Sequence, residues 1–532
     1  MPSHRLRARP PRGEPGPPAV VRDPEVVASV LEDAAHFPGG RSAGVAQPTD
    51  EGEVAALLRS GATVLTVGAQ SSLTGGATPM GEIVLATRRL NRVLEIGRET
   101  VRVQAGVPLT ALDAALADVG RYYPPAPTFS GAFVGGTVST NAAGAATFKY
   151  GTTRDWVRAL TVVLASGEVL DIERGQTTAH DGGFEIELSD RRVRVPVPAY
   201  SMPRVPKSSA GYFAAPGMDL VDLFVGSEGT LGVVTEVTLE VTPNRPATCL
   251  AFVPFGDRAA GLAFVRALRD AAAATWRGAD PAGLDVSAIE HMDRRCLELL
   301  REDGADRLYG VSWPDETVLA LLVTLELPPE TSAPQAFDEI GRARDIGAPD
   351  TPIVRLCRML DETGVLDVVE IAVPGDHARA AQLLALREAV PAAVNQRVGR
   401  AQRDVDRRIE KTAADMIVPF AAFDELLRHY DAAFSGLDAA VWGHVSDGNV
   451  HPNIIPRSYS DVAAGKQAIL ELGRQVIRMG GSPLAEHGVG RNPVKQQLLV
   501  ELYGAEGVEA MRRVKRALDP DWRLAPGVLF EP

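Results

Sequence analysis

Cysteine is nearly absent from this chain: Cys249, Cys296 and Cys357 are the only three among 532 residues. They lack the close spacings that bind zinc or iron–sulfur clusters, so reduced thiols in a cytoplasmic protein are the expectation. Positive charge is also short. The formal net charge is -13 and the pI near 5.3, which repels polyphosphate and anionic lipid and argues against a nucleic-acid partner. No apolar run reaches the length of a membrane-spanning helix, and docking at the inner face of a membrane is the only membrane association left open. The N-terminal stretch carries Arg5, Arg7, Arg9 and Arg12 among prolines without a following apolar core. It reads as a disordered leader rather than a signal peptide.

What is present is globular: 45% hydrophobic and 23% charged residues in a chain too long for one core, so two or more domains are expected. A helix near Val54–Leu58 gives way to a β-rich run at Thr63–Val67, and valine-rich strands then alternate with glycine-rich loops to about Pro243. Pro243, Pro246, Pro254 and Gly256 punctuate a junction, followed by a helix from about Arg258. The second half reads as α+β, with strands at Val318–Leu325 and Val368–Ala372 and helices at Ala378–Val390 and Val462–Arg478.

Three loops carry the first half's chemistry. The first runs Gly68-Ala69-Gln70-Ser71-Ser72-Leu73-Thr74-Gly75-Gly76 after a strand. The second includes Gly135, Gly136, Thr137, Ser139, Asn141, Ala142 and Gly144, and the third Gly226-Ser227-Glu228-Gly229-Thr230. Small residues let backbone N–H groups converge on an anion, and hydroxyls add donors. One such loop is more often an ordinary turn, and the first matches neither the dinucleotide fingerprint nor the P-loop. Three in one domain suit a long cofactor with a phosphate bridge.

Their order and wording, with Lys149-Tyr150-Gly151, Pro124-Pro125 and the closing Leu524-Ala525-Pro526-Gly527, resemble the vanillyl-alcohol-oxidase-type (PCMH-type) FAD-binding family, in its D-lactate, D-2-hydroxyglutarate and glycolate-oxidase-subunit branch. The resemblance implies a two-subdomain FAD-binding domain over 42–245 and an α+β substrate (cap) domain over 246–510, its antiparallel sheet covered by helices. A leader with short helices over 1–41 and a tail over 511–532 returning to the FAD domain complete the expected organisation. It adds Pro125, Val234 and Asn449 to the expected cofactor contacts. The chain departs from the family's Arg-Gly-x-Gly at Val67-Gly68-Ala69-Gln70. No histidine lies between His36 and His180, so FAD is expected to be held non-covalently.

The second half holds Gly443-His444-Val445-Ser446-Asp447-Gly448-Asn449-Val450-His451-Pro452-Asn453, and further on Glu486-His487-Gly488-Val489-Gly490. With Asp447-Gly448 as a two-residue hairpin turn, His444 faces His451 and Ser446 faces Asn449. Two imidazoles and a carboxylate compose a catalytic metal site with open positions. Each histidine taken alone reads better as a satisfied core residue.

In the resembling family these motifs imply that His444, His451 and Glu486 hold a divalent metal, zinc or manganese, and that His487 is the base. They also imply that Arg387 clamps a substrate carboxylate and that Asn453 contacts substrate. Arg387 has a plain alternative as a solvated helix charge, which is the reading of Arg379. Lys411 and Asp415 are candidates for the same cavity, with surface roles as the alternative. The implied activity is oxidation of a small D-2-hydroxy acid, its electrons passing to oxygen, a quinone, a carrier flavoprotein or a partner subunit. A homodimer is compatible. The rivals are a flavin-dependent transferase like alkylglycerone phosphate synthase, a metal-dependent hydrolase, and a non-catalytic flavin-binding protein.

Overall fold

The computed structural model describes residues 3–13, 15–125, 127 and 129–532, and its chain divides into two compact units. The first comprises residues 1–144, 151–243 and 480–532; the second comprises 145–150 and 244–479. The return to the first unit therefore starts at Gly480 rather than at residue 511, and six residues around Lys149 belong with the second. Polar contacts explain the latter. Lys149 Nζ lies 2.7 Å from Asp285 Oδ2 and also binds Glu326, and the Tyr150 hydroxyl donates to Glu326, so the segment is fastened to strands of the second unit.

In the first unit the helix Glu51–Arg59, capped by Asp50 Oδ1 accepting from Glu53 N, covers a four-stranded sheet. Its strand order is Val20–Val21, Gly44–Ala46, Ile83–Ala86 and Val64–Val67, the last three parallel. Val54, Leu57 and Leu58 from the helix pack with Val64 and Leu85 from the sheet and with Val163 and Val233 from a second sheet. That second sheet is antiparallel, in the order Val169–Glu173, Val157–Val163, Val233–Glu240, Thr100–Gln104 and Val93–Ile96.

The leader is not disordered over its described residues. Arg5–Arg7 forms a parallel strand beside Gly183–Glu187, and Arg9 forks between Glu51 and Asp171. Three of the arginines that suggested a disordered leader, Arg5, Arg9 and Arg12, are here matched by carboxylates on the folded surface.

In the second unit an eight-stranded antiparallel sheet runs Glu370–Ala372, Ala247–Phe255, Leu319–Leu327, Asp285–Asp293, Ala439–His444, Asn449–Ile454 and Thr412–Ala413, with Met416–Ile417 also on Asn449–Ile454. Helices His377–Asp404 and Arg294–Glu302 cover one face, where Leu383, Leu386, Val390 and Leu297 pack on Phe252, Leu322 and Trp442. The long helix runs fourteen residues past Val390, through Pro391, because its apolar face continues at Val394 and Val398. Among the described residues no helix is long and apolar enough to cross a membrane.

Candidate functional site

The glycine-rich loops meet in one cavity of about 280 Å³ within the first unit. From the first loop Gly68, Ala69, Gln70, Ser71 and Ser72 line it. From the second come Gly135, Gly136, Thr137, Ser139 and Ala142, and from the third Glu228 and Gly229, followed by Val234. His487 and Glu486 stand in the same wall.

The second loop is not a loop throughout. Val134–Thr140 is a short helix ended by Asn141 at φ 49, its entry pinned by Val134 N–H to Val107 O and Gly135 N–H to Ala105 O. A Cβ on Gly135 would stand 2.6 Å from Ala105 Cβ, so only glycine allows that approach. At Gly136 nothing lies within 4 Å of such an atom, which leaves the space open to a ligand.

Several expected contacts fall elsewhere. Gly75, at φ 75, turns against Phe37; Asn141 Oδ1 accepts from Arg154 N–H at 2.9 Å; Pro125 and Gly144 are not in the cavity wall. Asn449 is in the second unit, where its side-chain amide donates to Asp415 Oδ1 and Met416 O.

The cavity fits a flavin nucleotide. Thr66 Oγ1, which no sequence motif marks, is buried in its wall without a hydrogen-bond partner, and buried hydroxyls are otherwise almost always paired. Glycines leave room beside it, the nearest atom to a Cβ on Gly229 being 4.0 Å away.

Gln70, at φ 54 in the family's glycine position, donates through Nε2 to Val30 O at 2.9 Å and to Glu32 O and Ala77 O at 3.3 Å. Its side chain thus braces the first loop. The Glu486–Gly490 turn needs both its glycines. At Gly488, φ 76, a Cβ would meet Glu228 Oε1 at 2.8 Å, and at Gly490, φ 58, Thr74 O at 2.3 Å. Glu486 Oε2 accepts from Lys207 Nζ at 2.9 Å, and the Lys207 side chain is fully buried. No sequence signal marked Lys207. His487 Nε2 lies 3.5 Å from Glu486 Oε1.

In the second unit the hairpin register differs from the expected one. His444 pairs with Asn449 and Trp442 with His451, because Val445–Asp447 forms a 3₁₀ turn closed by Gly448 at φ 85. The loop is therefore four residues long instead of two. Side chains alternate along a strand, so His451 and Asn449 share a face, and the imidazoles meet as diagonal neighbours with centroids 5.3 Å apart, edge to face.

Each ring has a carboxylate beside Nδ1: Glu290 Oε2 at 3.1 Å from His444 and Asp415 Oδ1 at 3.4 Å from His451. That pairing favours the proton on Nδ1, as in metal-ligating histidines, so the donor set fits a divalent cation. Asp415 is 1% exposed, which rules out a surface role.

Arg387 is not a solvated charge. It is buried, donating through Nη2 to Glu290 Oε2 and through Nη1 to Glu388 Oε1, both at 3.0 Å. Burial would raise the Glu290 carboxyl, but Arg387 and His444 outweigh it and hold the group below the usual carboxylate range. Arg379, expected in solvent, is pinned by Glu370 and by the carbonyls of Tyr309 and Gly310. Asn453 is buried with its amide on His451 O and its Oδ1 without a hydrogen-bond partner. Lys411 is half-buried beside the strand Thr412–Ala413.

Two family descriptions match the chain: "FAD binding domain" over residues 42–173 and "FAD linked oxidases, C-terminal domain" over 256–529. It is 31% identical to a D-2-hydroxyglutarate dehydrogenase of Xanthomonas citri pv. viticola over 499 residues, 92% of this chain and 89% of that protein. The chain belongs to the FAD-linked oxidases. This FAD-linked oxidoreductase is also 28% identical to glycolate oxidase subunit GlcD of Bacillus subtilis, over 87% of the chain and 83% of that subunit. Among solved structures it shares the fold of an alkyldihydroxyacetonephosphate synthase, with a TM-score of 0.59 and 14% identity over 98% of this chain and 89% of that one. The expected two-part FAD-binding fold with an antiparallel sheet in the C-terminal region is thereby borne out.

Proposed function

We propose that this FAD-linked oxidase converts a small D-2-hydroxy acid of the lactate, glycolate or 2-hydroxyglutarate type to its 2-oxo acid, assisted by a divalent metal. The observation that carries the reading is the position of His487: an imidazole, 27% exposed, in the wall of the cavity that the three flavin loops build. When bound, the flavin supplies the hydride acceptor and the metal a Lewis acid. His487 takes the substrate's hydroxyl proton as the general base. Arg387 grips the α-carboxylate, fixing which face of Cα is presented, and Asn453 offers the acceptor oxygen that its own surroundings leave unpaired. His444, His451 and Glu486 are the proposed metal ligands, and Lys411 a further substrate contact.

The names of the relatives support the substrate class, and one of them is named as a subunit, which favours a partner subunit among the electron acceptors. The synthase likeness is one of fold and supports no transferase reading.

An anaerobic screen of D- and L-2-hydroxy acids, following loss of the oxidised flavin absorbance, tests the proposal. At least one D-acid should bleach the holoenzyme, and a chelator should slow the bleaching. His487→Ala should keep its FAD and lose bleaching by about 100-fold or more, the scale of general-base catalysis. Full-rate bleaching in that variant would remove His487 from its role.

A further inference from the structure

The turn that follows His487 is fastened by a side chain from a distant loop. Glu228 Oε1 accepts from Val489 N–H at 2.8 Å, and Oε2 accepts from Gly490 N–H at 2.9 Å. The backbone N–H of Glu228 donates to Ser139 O at 2.8 Å, so one residue joins the second flavin loop, the third and the His487 turn. Glu228 adopts φ 51, a conformation that costs a non-glycine residue about 1 kcal/mol or more, although the next residue is a glycine. Burial pushes its carboxyl up to about 7, with the two N–H groups and Lys495 opposing the rise. A strained backbone and a desolvated carboxylate are both unfavourable; the two charge-assisted hydrogen bonds offset them.

We propose that Glu228 is a positioning residue, whose carboxylate holds the Gly488–Gly490 turn and through it sets where His487 stands in the cavity wall. This rests on the reading of His487 as the base. Glu228 was expected to contact the cofactor and lines the cavity; its two oxygens also accept from backbone N–H groups, so it acts through the turn as well.

Two variants separate the carboxylate from the backbone. Glu228→Gln keeps the size and one acceptor oxygen but sets an NH2 against the other N–H. Glu228→Gly keeps the left-handed backbone without strain and removes both bonds.

In the FAD-loaded protein, amide hydrogen exchange at Val489 and Gly490 should quicken about 10-fold in the glutamine variant, the effect of losing one such bond, and more in the glycine variant. FAD content is measured alongside, and reduction is followed on the FAD-loaded fraction of each variant. The rate constant of anaerobic flavin reduction should fall by about 10- to 100-fold, with the substrate's apparent Kd changed far less, as expected when a reacting group is displaced by about an ångström. Glutamine should retain more of the rate than glycine.

Unchanged exchange in both variants would overturn the proposal, and so would quickened exchange with a wild-type reduction rate. Loss of FAD together with faster exchange throughout the chain in both variants would show a general structural role and overturn it too. If no 2-hydroxy acid reduces the wild-type flavin while exchange still quickens only at the turn, the functional reading fails and the fastening of the turn stands.

Discussion

Gln70, Asn141 and Glu228 each adopt a left-handed backbone in one of the three flavin loops, at φ 54, 49 and 51. Each is held by its own side chain: Gln70 on the carbonyls of Val30, Glu32 and Ala77, Asn141 on Arg154 N–H, Glu228 on Val489 and Gly490. Where a family glycine would enter this conformation freely, Gln70 needs the three acceptors. Replacing it should therefore separate two effects. Gln70→Ala loses the hydrogen bonds and keeps the backbone strain of about 1 kcal/mol that glutamine already carries; Gln70→Gly loses them and relieves that strain. Melting followed by release of flavin fluorescence should rank the wild type first, glycine second and alanine last, and alanine equal to glycine would refute the account.

The glycines themselves were legible in the sequence because a missing side chain has a direct steric meaning. The ion pairs were not. Lys207 and Glu486 are 279 residues apart, and Arg387 and Glu290 are 97 apart. Nothing local distinguishes such a buried lysine or arginine from a solvated one.

Between residue and domain, the hairpin around His444 shows how a correct motif can carry a wrong register. Asp447-Gly448 does mark the turn, but Gly448 closes a 3₁₀ turn with its N–H on Val445 O at 3.2 Å, adding two residues to the loop. The shared face of the two imidazoles survives because the strand period is two, whereas the facing partner changes.

Gly448 is the residue on which this depends. A Cβ there would stand 2.5 Å from Val418 O, at a φ of 85 that disfavours any side chain. Gly448→Ala should shift the strand ends that carry His444 and His451. Metal content by plasma mass spectrometry should show affinity reduced about 10- to 100-fold, the scale found when a ligand's orientation is disturbed. FAD content should be unchanged, because the glycine-rich loops belong to the other unit; loss of FAD with metal retained would contradict the assignment.

At the scale of the molecule, the chain passes from one unit to the other four times, at about residues 145, 151, 244 and 480. The last passage brings Glu486 and His487 into the flavin-binding unit. That could not be read from a pattern of helices and strands, because Tyr459–Arg478 and Pro493–Leu518 look alike as amphipathic helices and end in different units. The division has a chemical consequence. The cavity that fits the flavin is built wholly by the first unit and the imidazole pair with its carboxylates wholly by the second, so that of the proposed metal ligands only Glu486 comes from the flavin-binding unit. Each group should therefore be removable while the other stays. Dialysis against a chelator should leave the protein yellow with its FAD to metal ratio raised, and the double variant His444→Ala/His451→Ala should purify with FAD and little metal. Removal of flavin at high salt should leave most of the metal bound. Release of FAD in step with metal during chelation would mean that one group's site depends on the other through Glu486, and the largely separate origins of the two sites would not describe how the enzyme holds them.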